Sequence, residues 1–312
     1  MKRIATLTMN PTIDVAYEVG LVKHTHKMRT QAETYAPGGG GINVARVFVR
    51  LGGNARCFYL SGGATGPALD GLVDLHQLVR TRIPIAEPTR VAAAVLEHDS
   101  GKEYRFTPEG PTVSEAEWQA CLDALDEAEC GVMVLSGSLP RGVPADFYAR
   151  AAAMMEKRGI DTVLDSSGEA LRLGVEGGRL LLVKPSSGEL EQMTGRTLNT
   201  TAEIGEEAMR IVTSGKAKYV AVTMGHEGAV LARKEGWVHA AAPEIEAQSA
   251  VGAGDSFLAA MIHAMLCGRD DLDAFRFGMA AGSAAVLSAG TGLAHPPDIE
   301  RIFALMPPLV AA

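Results

Sequence analysis

The sequence predicts an α/β protein, with a mostly parallel sheet covered by helices and a small β-rich lid set into it. Three observations carry that reading. Short apolar runs recur at 4–9, 56–60, 132–135, 162–164, 180–183 and 219–223 with helix-like stretches between them, the alternation that parallel strands and crossover helices require. Helix starts are marked by Ser114 with Glu117, Ser166 with Glu169 and Ser186 with Glu189, each fitting the S-x-x-E capping box, and helix stops by Gly52, Gly159 and Gly268. Two stretches, 12–37 and 89–106, break the alternation. In the second, 91–98 and 103–106 flank Asp99-Ser100-Gly101 as a hairpin turn.

In chain order, the strand at 4–9 leads into the first lid segment, and the glycines at 38–41 open an amphipathic helix that stops at Gly52. The strand at 56–60 precedes the second lid segment. Ser114 starts a helix ahead of the strand at 132–135, and a helix closing at Gly159 leads to 162–164. Ser166 and Ser186 open helices on either side of 180–183, and 219–223 follows. From 252 to 287 the chain reads as nearly continuous helix, where Ala259, Ala260, Ala264, Ala280, Ala281, Ala284 and Ala285 suit close packing. With neither a repeat nor a Pro/Ser-rich linker, residues 1–312 read as one domain with lid segments at approximately 12–37 and 86–108.

With 47% hydrophobic and 21% charged residues over 312 positions, the chain can bury a large core without disulfides or structural metal. Lys and Arg number 29 against 37 Asp and Glu, a net charge of −8 that disfavours nucleic acid as a partner. Cys57, Cys121, Cys130 and Cys267 form no C-x-x-C pair, so reduced thiols in a cytoplasmic protein are expected. The apolar runs are far shorter than the ~20 residues that span a bilayer, so no membrane insertion is expected. His24 and His26 are the one close histidine pair and are not read as a metal site.

The strongest chemical signal is Gly252-Ala253-Gly254-Asp255 at the start of an apolar periodic run. A glycine turn feeding a helix N-terminus aims unpaired N–H groups at one point and suits phosphate. A carboxylate beside such a hole is repelled by the anion unless it takes a proton from an attacking hydroxyl; the plainer reading makes Asp255 a helix-start acid complementing the dipole. The second signal is the run from Pro37 to Arg46, where four glycines allow a ligand against the backbone and Asn43 can bond sugar hydroxyls. A flexible loop before a helix is the alternative. Neither run completes G-x-G-x-x-G, and no G-x-x-x-x-G-K-[ST] occurs, so dinucleotide-fold and P-loop readings lose their warrant.

Together the two motifs resemble the PfkB branch of the ribokinase superfamily, with its N-terminal Gly-Gly and C-terminal G-A-G-D signatures. The similarity tightens toward the family's 6-phosphofructokinases through PGGGGINVAR at 37–46, GGATG at 62–66, SGSLP at 136–140, DSSGEAL at 165–171, VGAGDS at 251–256 and FGMAAGSAA at 277–285. These blocks span almost the whole chain. Fructose-1-phosphate and tagatose-6-phosphate kinases usually carry a Lys within the glycine run, where this chain has Gly40.

The resemblance implies a ribokinase-like three-layer sandwich and ATP-dependent phosphorylation of the C1 hydroxyl of fructose 6-phosphate, with Mg²⁺. Asp255 is then the general base on the catalytic turn Gly252, Ala253, Gly254, and the N–H groups of Ala253, Gly254 and Asp255 hold the transferring phosphoryl group. Asp14, Gly38, Gly39 and Asn43 fix the sugar. Arg90 and Arg105, with Lys27, clamp the 6-phosphate, and Ser138 faces the sugar phosphate. Lys184, Ser186, Thr223, Gly225 and Gly228 carry the nucleotide, and Glu189 holds Mg²⁺ through water. Ser249, Val251, Ala285, Ser288 and Gly290 mark a monovalent-cation loop suited to K⁺. Two departures stand out: Ser186 replaces the Asn of the family's N-x-x-E, and Gly188 replaces a common Lys. Ser288 and Gly292 also stand where relatives have polar or basic residues. A capping box is the alternative reading of Ser186 and Glu189. The open rivals are a non-catalytic sugar-phosphate binder, which gains nothing from Asp255, and a kinase of nucleosides or unphosphorylated sugars, which has no need of Arg90 and Arg105. The exposed strand edges of the lid, with the resemblance, imply a lid-to-lid homodimer.

Overall fold

The computed structural model describes residues 3–245, 251–287 and 292–309. The chain begins with β1 (Ile4–Thr8), then sends β2 (Thr12–Val19) and β3 (Ala32–Gly38) into a smaller sheet. Helix α1 (Gly40–Arg50) returns to β4 (Ala55–Gly62), α2 (Gly66–Leu75) and β5 (Val79–Ile85). The smaller sheet is completed by β6 (Arg90–Glu97) and β7 (Lys102–Phe106). There follow α3 (Glu115–Asp126), β8 (Val132–Ser136), α4 (Phe147–Lys157), β9 (Asp161–Asp165), α5 (Gly168–Gly177) and β10 (Leu180–Val183). Next come α6 (Ser187–Thr194), α7 (Thr201–Thr213), β11 (Ala217–Thr223), β12 (Ala229–Arg233) and β13 (Gly236–Ala240). Three helices close the chain: α8 (Ala253–Leu266), α9 (Asp271–Ala285) and α10 (Pro296–Leu305).

Nine strands form the main sheet in the order β13-β12-β11-β10-β9-β8-β1-β4-β5. It is parallel from β11 to β5 and antiparallel only where β12 and β13 extend one edge. Alternating side chains divide the core in two, as period-two strands buried on both faces must. Ile4, Val134, Val163 and Leu182 face one apolar cluster with residues of α1, α8, α9 and α10. Ala5, Leu135, Leu164 and Val183 face the other, with residues of α3, α4, α5 and α7. The result is the expected three-layer sandwich.

The smaller sheet runs β3-β2-β6-β7, with β2 parallel to β6 and antiparallel pairs outside. Its register places Asp14 beside Ala92 and Arg105 beside Ala94, so Asp14, Arg90 and Arg105 share one face. Tyr35, Val91 and Phe106 share the other and remain exposed. The β6–β7 hairpin turns at Gly101, in the left-handed region at φ 69°.

The helix punctuation is largely as read. Gly52, Gly159 and Gly268 all lie at positive φ just beyond a helix end. Ser114 with Glu117 and Ser186 with Glu189 form reciprocal capping boxes. Ser166 does not. Helix α5 is capped one residue later, at Ser167; Ser166 Oγ instead donates to the carbonyl of Gly137, and Glu169 pairs with Arg172. The helical run after 252 is likewise two helices, because Asp270 caps α9 by accepting from the N–H of Asp273.

Candidate active site

The strand order reverses direction between β8 and β1, and chain segments leaving the C-terminal ends of neighbouring strands converge there, the usual ligand crevice of an open parallel sheet. Asn10 follows β1, Ser138 follows β8, Asp165 ends β9, and Lys184 and Ser186 follow β10. Helices α1 and α8 bring their N-termini to the same place.

Gly252 caps α8 in the left-handed conformation, φ 71°, and a Cβ there would lie 2.3 Å from Leu293 Cδ2. The turn leaves the first N–H groups of α8 without intrahelical acceptors, and Asp255 stands on that first turn. Asp255 Oδ2 accepts from Asn43 Nδ2 at 2.9 Å. Burial, reinforced by the Asp165 carboxylate, pushes Asp255 up to about 6, against the opposing pull of Asn43 and Lys184. The carboxyl therefore becomes a base just below neutrality, where a general base is effective.

The glycine run has no room for side chains. Gly39 adopts φ 108°, and Cβ atoms on Gly38, Gly40 and Gly41 would lie 2.0 Å from Asp14 Oδ2, 2.2 Å from Ser136 Oγ and 2.5 Å from the Leu7 carbonyl. A side chain at position 40 would require Ser136 to move. Asp14 faces Gly38 and is raised to about 6 by burial, despite Thr12, Arg46 and Arg90. Asp14, Gly38, Gly39, Asn43 and Asp255 thus form one cluster. Ser138 borders it, with its Oγ 3.4 Å from Asn10 Nδ2.

The three basic groups read as a phosphate clamp are not gathered in one chain. Arg90 donates to the carbonyls of Asn10 (2.8 Å), Pro11 (3.4 Å) and Pro108 (2.9 Å). Arg105 pairs with Glu103 and lies four register positions along the sheet from Arg90, roughly 14 Å. Lys27 lies beyond the end of β2, whose span from Thr12 to Val19 is itself roughly 24 Å. Strand alternation puts Arg90 and Arg105 on one face, and the register adds the distance between them along that face within one chain.

Lys184, 5% exposed, donates to Asp165 Oδ1 at 3.0 Å and lies 3.2 Å from where a Cβ on Gly254 would be. Although burial works against its charge, Asp165, Asp255 and Glu189 hold Lys184 above its ordinary value. An ammonium is therefore fixed beneath the first turn of α8. Asp165 has no role in the sequence reading, although its position at the C-terminal end of a buried strand is the signal that could have found it. Asn10 Oδ1, also buried here, has no partner among the described residues.

Beside Lys184 opens a cavity of about 670 Å³, lined by Ser186, Thr223, Gly225 and Gly228 on one side and by Gly254, Phe257, Met279 and Val286 on the other. Ser186 and Thr223 bridge β10 and β11 at its floor, and a Cβ on Gly228 would meet the Ala240 carbonyl at 2.0 Å. Glu189 Oε2 accepts from the Ser186 N–H at 2.7 Å, so the capping box and the approach to Asp165 coexist. Among the described residues no group of three or more His, Cys, Asp and Glu could hold a metal. Asp165 and Glu189 suit a cation that keeps most of its waters and takes phosphate oxygens. Of the cation loop, Val251 and Ala285 flank the α8 turn and end α9, while Ser249, Ser288 and Gly290 lie outside the described residues.

The sequence profile of the pfkB family carbohydrate kinases matches residues 7–298. The chain is 38% identical over 307 residues to an ATP-dependent 6-phosphofructokinase isozyme 2 of Escherichia coli (strain K12), covering 98% of this chain and 99% of that one. It is 39% identical to the protein of the same description in Mycobacterium tuberculosis (strain CDC 1551 / Oshkosh), covering 97% and 89%. Its fold superposes on the crystal structure of phosphofructokinase-2 from Escherichia coli in complex with potassium with a TM-score of 0.93, at 38% identity and 98% and 99% coverage. With an open helix N-terminus and a raised carboxyl in one crevice, and with that profile along nearly its whole length, this chain belongs to the pfkB family of carbohydrate kinases.

Proposed function

We propose that this chain transfers the γ-phosphoryl group of ATP to the C1 hydroxyl of fructose 6-phosphate, giving fructose 1,6-bisphosphate. The observation that carries the reading is Asp255: a carboxyl raised to about 6, bonded to Asn43 and set on the first turn of α8. Asp255 accepts the proton of the C1 hydroxyl as its oxygen bonds to the γ-phosphorus, and the bond from that phosphorus to the β–γ bridging oxygen breaks to leave ADP. The N–H groups of Ala253, Gly254 and Asp255, with Lys184, offset the charge on the transferring group. Asp14, Gly38, Gly39 and Asn43 fix the sugar, and the cavity beside Ser186, Thr223, Gly225 and Gly228 takes the nucleotide. Held between Asp165 and Glu189, Mg²⁺ would neutralise phosphate charge. K⁺ at the 251/285 loop is the further cation of this reading.

The whole chain then works as one domain, with the smaller sheet (segments 12–37 and 86–108) as its lid. In a homodimer the exposed Tyr35, Val91 and Phe106 would be covered, and Lys27, remote from its own Asp255, would act only through the partner. A cytoplasmic location accords with its four free cysteines. Tagatose 6-phosphate and fructose 1-phosphate are the competing substrates, and Gly40, where kinases of those two usually carry Lys, favours fructose 6-phosphate. Following ADP release with these three sugar phosphates and fructose tests the reading; equal rates with fructose, or no release with any, would overturn it.

Ser186 supplies a further prediction. Its hydroxyl is shorter than an Asn amide, leaving Glu189 and Asp165 to anchor the hydrated cation. Since Asn is as good an N-cap as Ser, Ser186→Asn is expected to leave the melting temperature unchanged while lowering the Mg²⁺ concentration for half-maximal rate. An unchanged Mg²⁺ titration would show that the hydration shell is built elsewhere.

A further inference from the structure

Arg46 has no role so far, yet it is 6% exposed and brings its guanidinium under the site. It lies on α1 one turn after Asn43, so the two side chains share a helix face. Arg46 Nη1 donates to Asn43 Oδ1 at 3.2 Å and to the Pro37 carbonyl at 3.0 Å. With its oxygen held, the Asn43 amide has only Nδ2 to offer Asp255, which it does at 2.9 Å. The reverse orientation would set amide oxygen against carboxylate and amide hydrogens against guanidinium, unfavourable at both ends.

We propose that Arg46 is a positioning residue for phosphoryl transfer, which aims the Asp255 carboxylate through Asn43 and fastens the base of the lid strand β3 to α1 through Pro37. The inference rests on the kinase reading above. Its charge also matters. Burial lowers the guanidinium to about 10, with Arg50 acting the same way and Asp14 and Asp255 opposing, so it stays protonated at neutral pH. Facing Arg46 are Asp14 of β2, Arg50 of α1, His76 at the end of α2, and Asp255 of α8. His76 is held neutral, mainly by burial and then by the two arginines. Asp255 in turn faces Asp14, Asn43, Asp165 and Lys184. Both bonds leave the one nitrogen Nη1; lysine could keep the charge, but its ammonium sits on a flexible stem and lacks the rigid plane that holds Nη1 between amide and carbonyl.

A double-mutant cycle on fructose 6-phosphate turnover tests this, using Arg46→Met, Asn43→Ala, their combination and Arg46→Lys. Arg46→Met is expected to lower kcat by about 10- to 100-fold, the effect of sub-ångström misplacement at a reacting group, with little change in KM for ATP. The double variant should fall within about threefold of Asn43→Ala alone, since residues acting through one another are not additive. The acid limb of kcat/KM should move up by about one pH unit in Arg46→Met and stay in place in Arg46→Lys. Additive losses in the cycle, or an unmoved limb in Arg46→Met, would overturn the proposal. If circular dichroism shows Arg46→Met unfolded, Arg46→Lys decides: a lowered kcat that disappears as a separate loss in the Asn43→Ala background supports it, and a wild-type kcat overturns it. Wild-type protein inactive on fructose 6-phosphate would remove the kinase reading itself, whereas an active wild type with an additive cycle removes Arg46 alone.

Discussion

Asp255→Asn is expected to lower kcat for fructose 6-phosphate by about 10²- to 10⁴-fold with little change in either KM, because only the proton acceptor is lost. In the wild type, kcat/KM should fall as pH drops through about 6, where the buried carboxyl takes up its proton. Stability carries the opposite sign. A carboxyl whose folded value lies above its unfolded value favours the folded state when protonated, and that contribution is lost as pH rises through about 6. At pH 7.5 the Asn variant, which has no charge to desolvate, should therefore melt at or above the wild-type temperature while being nearly inactive. A variant retaining kcat near wild type would remove Asp255 as the base. A variant that melts well below wild type would show that the carboxylate is held by more favourable contacts than Asn43 and Lys184 provide.

Much of this arrangement is legible in the sequence because it is local. The turn at 252–255 and the glycine run at 38–41 each encode a helix start within a few residues, and the structure bears out both helix starts. Apolar runs bounded by glycines give the parallel strands for the same reason. What escapes is the three-dimensional pairing of charge. Asp165 and Lys184 lie on adjacent strand ends 19 residues apart, and nothing in either segment announces a 3.0 Å ion pair beneath Gly254. Arg46 is one arginine on an amphipathic helix, where a solvated position is the ordinary expectation, yet α1 is covered by α8 and so buries it. Ser166 shows the converse failure: the capping pattern is present, but the Gly137 carbonyl takes its hydroxyl and the helix begins one residue on.

Arg90→Ala is expected to raise KM for fructose 6-phosphate by about 10- to 100-fold, and Arg105→Ala by about tenfold, with KM for ATP little changed in both. Charge-assisted hydrogen bonds to a phosphate are worth about 1.5–3 kcal/mol each, so the loss of one is of this size. The order follows from geometry. Arg90 stands at the base of the smaller sheet, on the same face as Asp14, and its three contacts with the carbonyls of Asn10, Pro11 and Pro108 fix the guanidinium before any sugar arrives. Those contacts use three of the five N–H groups a guanidinium carries and leave two that can bond a phosphate. Arg105 is on the same face but roughly 14 Å along the sheet, about half exposed and paired with Glu103. It must leave or share that carboxylate to reach a ligand near Arg90, and part of its binding energy is lost in doing so. Because binding at the remote phosphate orients C1 toward Asp255, Arg90→Ala should also lower kcat. Initial rates across a fructose 6-phosphate titration decide the matter. An Arg90→Ala enzyme with wild-type KM would confine Arg90 to tying the smaller sheet to β1, and an Arg105→Ala effect exceeding that of Arg90→Ala would place the 6-phosphate farther out on the lid.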